Sequence, residues 1–170
     1  MMSVQESFDA VAQSDDFKRW HDKNKSSFLC SLFKIKDQDK ETGYQVDFYS
    51  KGSETISSFV IENGKAKLAL EDAKVFKKDE DEVEELNLAD IKVSEHDAIK
   101  NVEQIRKKKY AQEKFIKHII ILQHKKVPIW NISAITVSLN VLNAKIDAKT
   151  GKVIQESLQS LFSFRKDQEK

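Results

Sequence analysis

Two stretches of this chain follow one plan, and that repetition limits the fold more than any other feature. Residues Ser7 to about Phe76 and Ser94 to about Phe162 each run from a helical segment into several β-rich segments. An offset of 87 aligns Ser7 with Ser94, Phe28 with Phe115, Leu32 with Ile119 and Gly64 with Gly151. The same offset sets Phe33 against Ile120 and Ile35 against Leu122, and a lysine follows the glycine in both copies. Tyr44 answers Trp130 at an offset of 86. Two amphipathic segments can also agree by chance, so the repeat is an expectation for the structure to meet.

The second copy is the clearer one. Ser94 with Asp97 three residues on makes a helix-capping pattern. Ala98, Ile99, Val102 and Ile105 then form one apolar helix face, and Arg106 to Lys109 suit its C-terminal end. In the first copy Phe8, Val11, Ala12, Phe17 and Trp20 form a weaker stripe on a helix from about Val4 to Lys23. Strands are expected over Ser27–Lys36 and Phe115–Gln123, rich in β-formers. Tyr44, Val46 and Phe48 alternate with polar neighbours, as do Trp130, Ile132 and Ala134. Asn63-Gly64, between Ser57–Ile61 and Ala66–Leu70, is a strong hairpin signal, because both turn positions need positive φ. Asp147 to Gly151 is a longer turn in the same role.

The strands beginning at Phe28 and Phe115 are apolar on both faces. Leu29, Phe33 and Ile35 oppose Phe28, Cys30 and Leu32; Ile116, Ile120 and Leu122 oppose Phe115, Ile119 and Ile121. One helix covers only one face of a sheet, so a second cover is required. Either the two units pack on each other within the chain or two chains pack together. The long linker favours the first, hence a monomer over a homodimer. Between the units, six acids fall in seven positions from Asp79 to Glu85, which reads as a solvated linker. The division is 1–78 for the first helix-plus-sheet unit, 79–90 for the acidic linker, 91–162 for the second unit and 163–170 for a tail.

Composition narrows the function classes. The chain has 29 Lys plus Arg against 28 Asp plus Glu, which argues against a general nucleic-acid binder. Its single cysteine, Cys30, excludes an intrachain disulfide. The longest apolar stretch, Ile119 to Leu122, is far shorter than a membrane helix, and Met1 to Phe17 shows no signal-peptide run. A soluble, cytoplasmic protein is expected.

No catalytic pattern emerges. Gly64-Lys65 and Gly151-Lys152 lack the earlier glycine and the following Ser or Thr of a phosphate-binding loop. His21, His96, His118 and His124 form no zinc motif, and His118 and His124 would sit roughly 20 Å apart on one straight strand. Cys30 lies among apolar residues, as a buried small hydrophobe does. Trp20 and Trp130 read as core. Arg106 to Lys109, with Lys114, Lys117, Lys125 and Lys126, is either a solvated helix end or an anion-binding surface.

The run Leu86 to Ile99, the segment Val127-Pro-Ile-Trp130-Asn-Ile132 and the closing hairpin Ala144-Lys-Ile-Asp147-Ala-Lys-Thr-Gly151-Lys-Val153 together resemble a PepSY-type domain, the peptidase propeptide-related module. The resemblance covers about Leu86 to Gln155. It implies a non-catalytic module that binds or restrains a protein partner, with no catalytic residue to carry over. The first half resembles this family only through the repeat.

The expected fold is α+β, a tandem repeat of an N-terminal helix packed on a four-stranded antiparallel sheet, PepSY-like or cystatin-like. The expected function is non-catalytic binding or regulation of a protein or peptide partner that meets a sheet edge or apolar sheet face. The alternative is a small-ligand-binding or enzymatic cystatin-like domain with a pocket between helix and sheet. No catalytic, cofactor or metal residue is assigned.

Overall fold

A computed structural model describes residues 1–75 and 81–163. It is an α+β fold with one antiparallel sheet of eight strands, in the order β4-β3-β2-β1-β5-β6-β7-β8. Helices α1 (Val4–Ala12) and α2 (Asp15–Lys23) precede β1 (Phe28–Asp37), β2 (Gln45–Ser50), β3 (Thr55–Glu62) and β4 (Lys65–Lys74). Helix α3 (Glu95–Lys109) precedes β5 (Phe115–Lys125), β6 (Val127–Thr136), β7 (Asn140–Asp147) and β8 (Val153–Ser160).

The two expected four-stranded sheets are therefore halves of one sheet. The first strand of each half meets the other across the middle, antiparallel, with Leu32 opposite Leu122 and Ile35 opposite Ile119. Two strands that would have been open edges satisfy each other's backbone groups instead. The expected face-to-face packing of the units does not occur, because they join edge to edge.

The single N-terminal helix expected from Val4 to Lys23 is two. Ser14 ends the first run and caps the second, its hydroxyl accepting the Phe17 amide at 3.2 Å. Ser3 caps α1 in a capping box with Glu6. Ser94 caps α3 as its sequence implied, accepting the Asp97 amide at 3.1 Å.

All three helices lie on one side of the sheet. Phe48 and Phe59 receive Phe17 and Trp20 from α2, and Phe48 also receives Phe8 from α1. Ala98 and Val102 of α3 are fully buried in the same core, with Leu32, Ile120, Leu122, Trp130, Ile132, Leu142 and Ile146. This core runs unbroken through both halves of the chain. On the other side Phe33, Ile35, Ile119, Ile121 and Ile135 are half-buried, with no helix over them among the described residues.

A β-bulge between Leu29 and Ser31 corrects one detail of the face assignment. The extra residue shifts the alternation. Leu29, opposite Phe48, joins Leu32 on the helix side, while Phe33 and Ile35 stay on the open side. The 87-residue offset fails here for the same reason of parity, since it matches Phe33 on the open side with Ile120 on the helix side. The ladders instead equate Leu32, opposite Val46, with Ile120, opposite Ile132.

The linker keeps Asp81, Glu82 and Glu85 exposed and is tied down at its C-terminal part. Leu86 is buried and its amide donates to the Leu29 carbonyl at 2.8 Å. Glu84 accepts the Lys126 amide at 2.9 Å and pairs with His124 at 3.4 Å. Asp79 and Glu80, and the tail beyond Ser163, lie outside the described residues.

Candidate functional site

The seam between the halves carries the most concentrated polar chemistry on the helix side. Lys34 follows Leu32 in the alternation of β1, so its side chain enters the core face opposite Ile120. It is 3% exposed. A buried ammonium needs counter-charge and hydrogen bonds. Glu95, in the first turn of α3, supplies both, its carboxylate oxygens 3.1 and 3.3 Å from Nζ. Glu41, beside the end of β1, forms a second ion pair with Nζ. Tyr44 lies under the ammonium, which stands 4.8 Å from the ring centroid, and its hydroxyl donates to Glu95. The Lys34 hydrogen bond holds the Glu41 carboxyl below its usual range. Burial, then the bond to Glu95, pushes the Tyr44 hydroxyl far up. Lysine, carboxylates and phenol are committed to one another, so none is poised as a free base or nucleophile.

Beside this cluster opens a cavity of about 530 Å³. Leu88, Ile91, Val93 and Trp130 give it apolar walls, and Lys34, Tyr44 and Glu95 form its polar end. Trp130 is fixed by its indole N–H, which donates to the Val93 carbonyl at 2.9 Å. Val93 is held in turn, with Lys92, by the Ala148 carbonyl at 2.9 Å. The closing turn thus has a structural task. Asp147 accepts the amides of Lys149 and Thr150, and Asn101 of α3 donates to the Gly151 carbonyl at 3.2 Å. Gly64 and Gly151 take φ of +75° and +81°, as hairpin turns require.

The histidines do not converge. His96 stands exposed at the cavity rim. His118 sits edge-on to Phe115 at 5.2 Å, and burial followed by the charge of Lys36 holds it below its ordinary range. His124 faces Glu84, and His21 stacks on Phe17 at 5.3 Å. Among the described residues no group of three potential ligands could hold a metal ion. Cys30 is buried, its thiol donating to the Asp47 carbonyl, and burial pushes it up to about 12. Trp20 and Trp130 are core residues. The basic cluster is partly consumed: Arg106 binds Glu103 and the Glu113 carbonyl, and Lys109 binds Glu156. Lys107 and Lys108 remain exposed.

The two sheet edges differ sharply. In β4, Lys65, Lys67, Glu71, Asp72 and Lys74 charge the strand. Its register shifts twice against β3, and Asp72 adopts φ +51°. Charges and bulges of this kind prevent pairing with other chains. In β8, running VIQESLQS, Glu156 is the one charge, and Lys109 and Tyr110 draw it inward. Beyond one shift near its start, β8 is regular. Val153 and Ile154 are exposed on it. Sequence reading named neither Lys34 nor β8. The signals were a lysine in phase with an apolar face and an edge strand almost free of charge.

No family model and no curated protein matches the chain. A solved structure from Clostridium difficile, described as a "putative lipoprotein", matches over 85% of this chain and 91% of its own, with a TM-score of 0.54 and 19% identity. That likeness is one of fold. No helix among the described residues is long and apolar enough to cross a membrane.

Proposed function

We propose that this chain is a non-catalytic binding or regulatory protein, and that it engages an extended segment of a protein partner along β8. The observation that carries this reading is the contrast between the edges. One is charged and bulged, while the other presents a regular row of backbone donors and acceptors with almost no charge. Such a row takes up an added strand through main-chain hydrogen bonds. The satisfied Lys34–Glu41–Glu95–Tyr44 cluster supports the non-catalytic part. A photocrosslinker at Gln159, exposed on β8 and kept in every variant, is expected to trap a partner peptide in cells of the source organism. Ile154→Lys, which charges the edge, is expected to abolish the capture. Equal capture with Ile154→Lys, or none with either, contradicts the reading.

We also propose that the halves are diverged copies of one PepSY-like unit. Helix followed by a four-stranded meander occurs in each half, and this supports the reading.

A second reading places a small, largely apolar ligand in the cavity beside Trp130. Its volume lies in the range of small-molecule sites. Native mass spectrometry of protein purified from its source tests this. A bound mass lost in Trp130→Ala favours the cavity, and a bare chain argues against it.

A further inference from the structure

The basic end of α3 shares one end of the molecule with four exposed apolar side chains. Here α3 leads into β5, β6 turns into β7, and β8 finishes. Val137 and Leu139 stand on the β6–β7 turn, and Leu161 and Phe162 lie just past β8. All four are exposed, Val137 by 62% and Phe162 by 60%. Backbone bonds hold these pieces together. The Leu161 amide donates to the Leu139 carbonyl at 2.8 Å, and the Val137 amide to the Lys114 carbonyl at 2.9 Å. Arg106 ties the end of α3 to the same loop, its guanidinium donating to the Glu113 carbonyl at 2.8 Å.

The turn has the wrong residues for a purely structural one. Exposed turns favour Gly, Asn, Asp and Ser. Leu139 instead takes φ +60°, a left-handed conformation that resists bulky side chains, and leaves its side chain in water. It costs the fold and gains little burial. Such a residue, next to three more exposed apolar ones, points to a use outside the chain.

The charge around the patch has one sign. From Lys107 to Lys114 every exposed charge is positive, on Lys107, Lys108, Lys109 and Lys114. The single acid of that run, Glu113, is 4% exposed and accepts the Asn140 side-chain amide at 2.9 Å. Glu103 is taken up by Arg106, and Glu156 by Lys109. Beyond β5, Asp37 pairs with Lys117 at 3.5 Å, and Asp39 is exposed beside Lys40.

We propose that this end of the molecule docks on an anionic lipid surface. Val137, Leu139, Leu161 and Phe162 enter the boundary between headgroups and acyl chains, while Lys107, Lys108 and Lys114 meet the headgroup charge. The contact lies on the surface and is no membrane span. It is separate from strand addition at Val153 and Ile154, which lie at the opposite end of β8. Two observations favour lipid over a protein partner. The apolar residues stand on a turn and a strand end, and a protein partner would need a pocket shaped to take them. A bilayer needs no matching shape, only apolar side chains to insert and cations beside them.

Sedimentation of the full chain with vesicles tests the proposal. Binding is expected to vesicles of phosphatidylcholine mixed with phosphatidylserine, to fall as salt rises, and to be far weaker on phosphatidylcholine alone. Replacing Lys107, Lys108 and Lys114 by Gln should weaken it about 100-fold. Leu139→Asn with Phe162→Ser should weaken it at least about tenfold. Asn suits positive φ, so the turn keeps its shape. Ile154→Lys should not weaken it, which separates this proposal from the edge reading. A readout on the native chain guards against variants that fold poorly. Nitroxide-labelled lipid in bicelles of the mixed composition should broaden the amide signals of Val137, Leu139 and Leu161 and spare that of Ile154. A chain that ignores the mixed vesicles overturns the proposal, and a photocrosslinker at Val137 that then traps a protein assigns the patch to a protein partner instead. Binding unmoved by both sets of variants, or equal on the two kinds of vesicle, overturns it as well.

Discussion

Ile120 and Ile121 are neighbours in β5 with opposite fates. Ile120 is fully buried under the helices, opposite Lys34. Ile121 is half-buried on the open face, opposite Phe33. Same residue, same strand and same pairing partner strand leave only the cover to differ. The helix side is closed by two short helices over one half and a long one over the other, and its core is apolar apart from the Lys34 cluster at the seam. The open side mixes apolar residues, among them Phe33, Ile121, Tyr49, Ile129 and Val141, with polar and charged ones. The helices close the core around Ile120, while on the other face Tyr49, Ile129 and Val141 are buried without a helix and Ile121 stays half-buried.

The largest effect should come from testing that contrast directly. Ile120→Ala should cost about 2–5 kcal/mol by leaving a cavity in a closed core. Ile121→Ala, half-buried on the other face, should cost less than about 1.5 kcal/mol by urea unfolding. Similar losses from the two would mean that the open face is covered within one chain.

Next comes the seam cluster. Lys34→Met leaves the Glu41 and Glu95 carboxylates facing each other without a cation. Glu41 keeps access to water, so the expected loss is about 2 kcal/mol, below the roughly 3–5 of a fully enclosed broken pair. A smaller loss for the double change Lys34→Met with Glu95→Gln, in the same unfolding measurement, would show that the stranded charge is the cause.

The turns should show a smaller effect. Gly64→Ala and Gly151→Ala place a Cβ at positive φ with no clash in either case, so strain alone should cost on the order of 1 kcal/mol each. A loss much above this at Gly151 would indicate disturbance of the turn's grip on Val93.

The smallest effect concerns pH. His118 is held below its ordinary 6.5 by burial. A base whose folded value is depressed stays neutral in the fold while the unfolded chain takes up a proton. Its contribution is therefore complete above about pH 6.5 and is lost as pH falls from there toward the folded value. Melting temperatures from pH 7 to pH 5 should fall in the native chain, and His118→Asn should flatten that slope.

Much of the fold was legible because its determinants are local. Ser94 with Asp97 starts α3, and Asn63-Gly64 sets the β3–β4 hairpin. Trp130, Ile132 and Ala134 place the inner face of β6. What sequence reading missed is non-local or set by a single extra residue. Nothing near β1 announces that its partner is β5, about ninety residues on, because an edge pairs with whatever edge the packing brings to it. The bulge at Cys30 reverses Leu29 without a glycine to mark it. Ser14 both ends α1 and caps α2, so the helix break looked like one continuous stripe. A lysine in a strand reads as surface, and the burial of Lys34 depends on Glu95, sixty-one residues away, reaching it from α3.

The central claim is that the halves form one sheet through β1 and β5. Amide hydrogen exchange read residue by residue tests it most directly. In a continuous sheet β1 and β5 are interior strands, so the amides from Leu32 to Ile35 and from Ile119 to Leu122 should all exchange slowly, through global unfolding. The amides of β4 and β8 should include fast ones. If alternate amides of β1 and β5 exchange as fast as those of β4 and β8, both are free edges, the halves are separate four-stranded sheets, and the account is wrong.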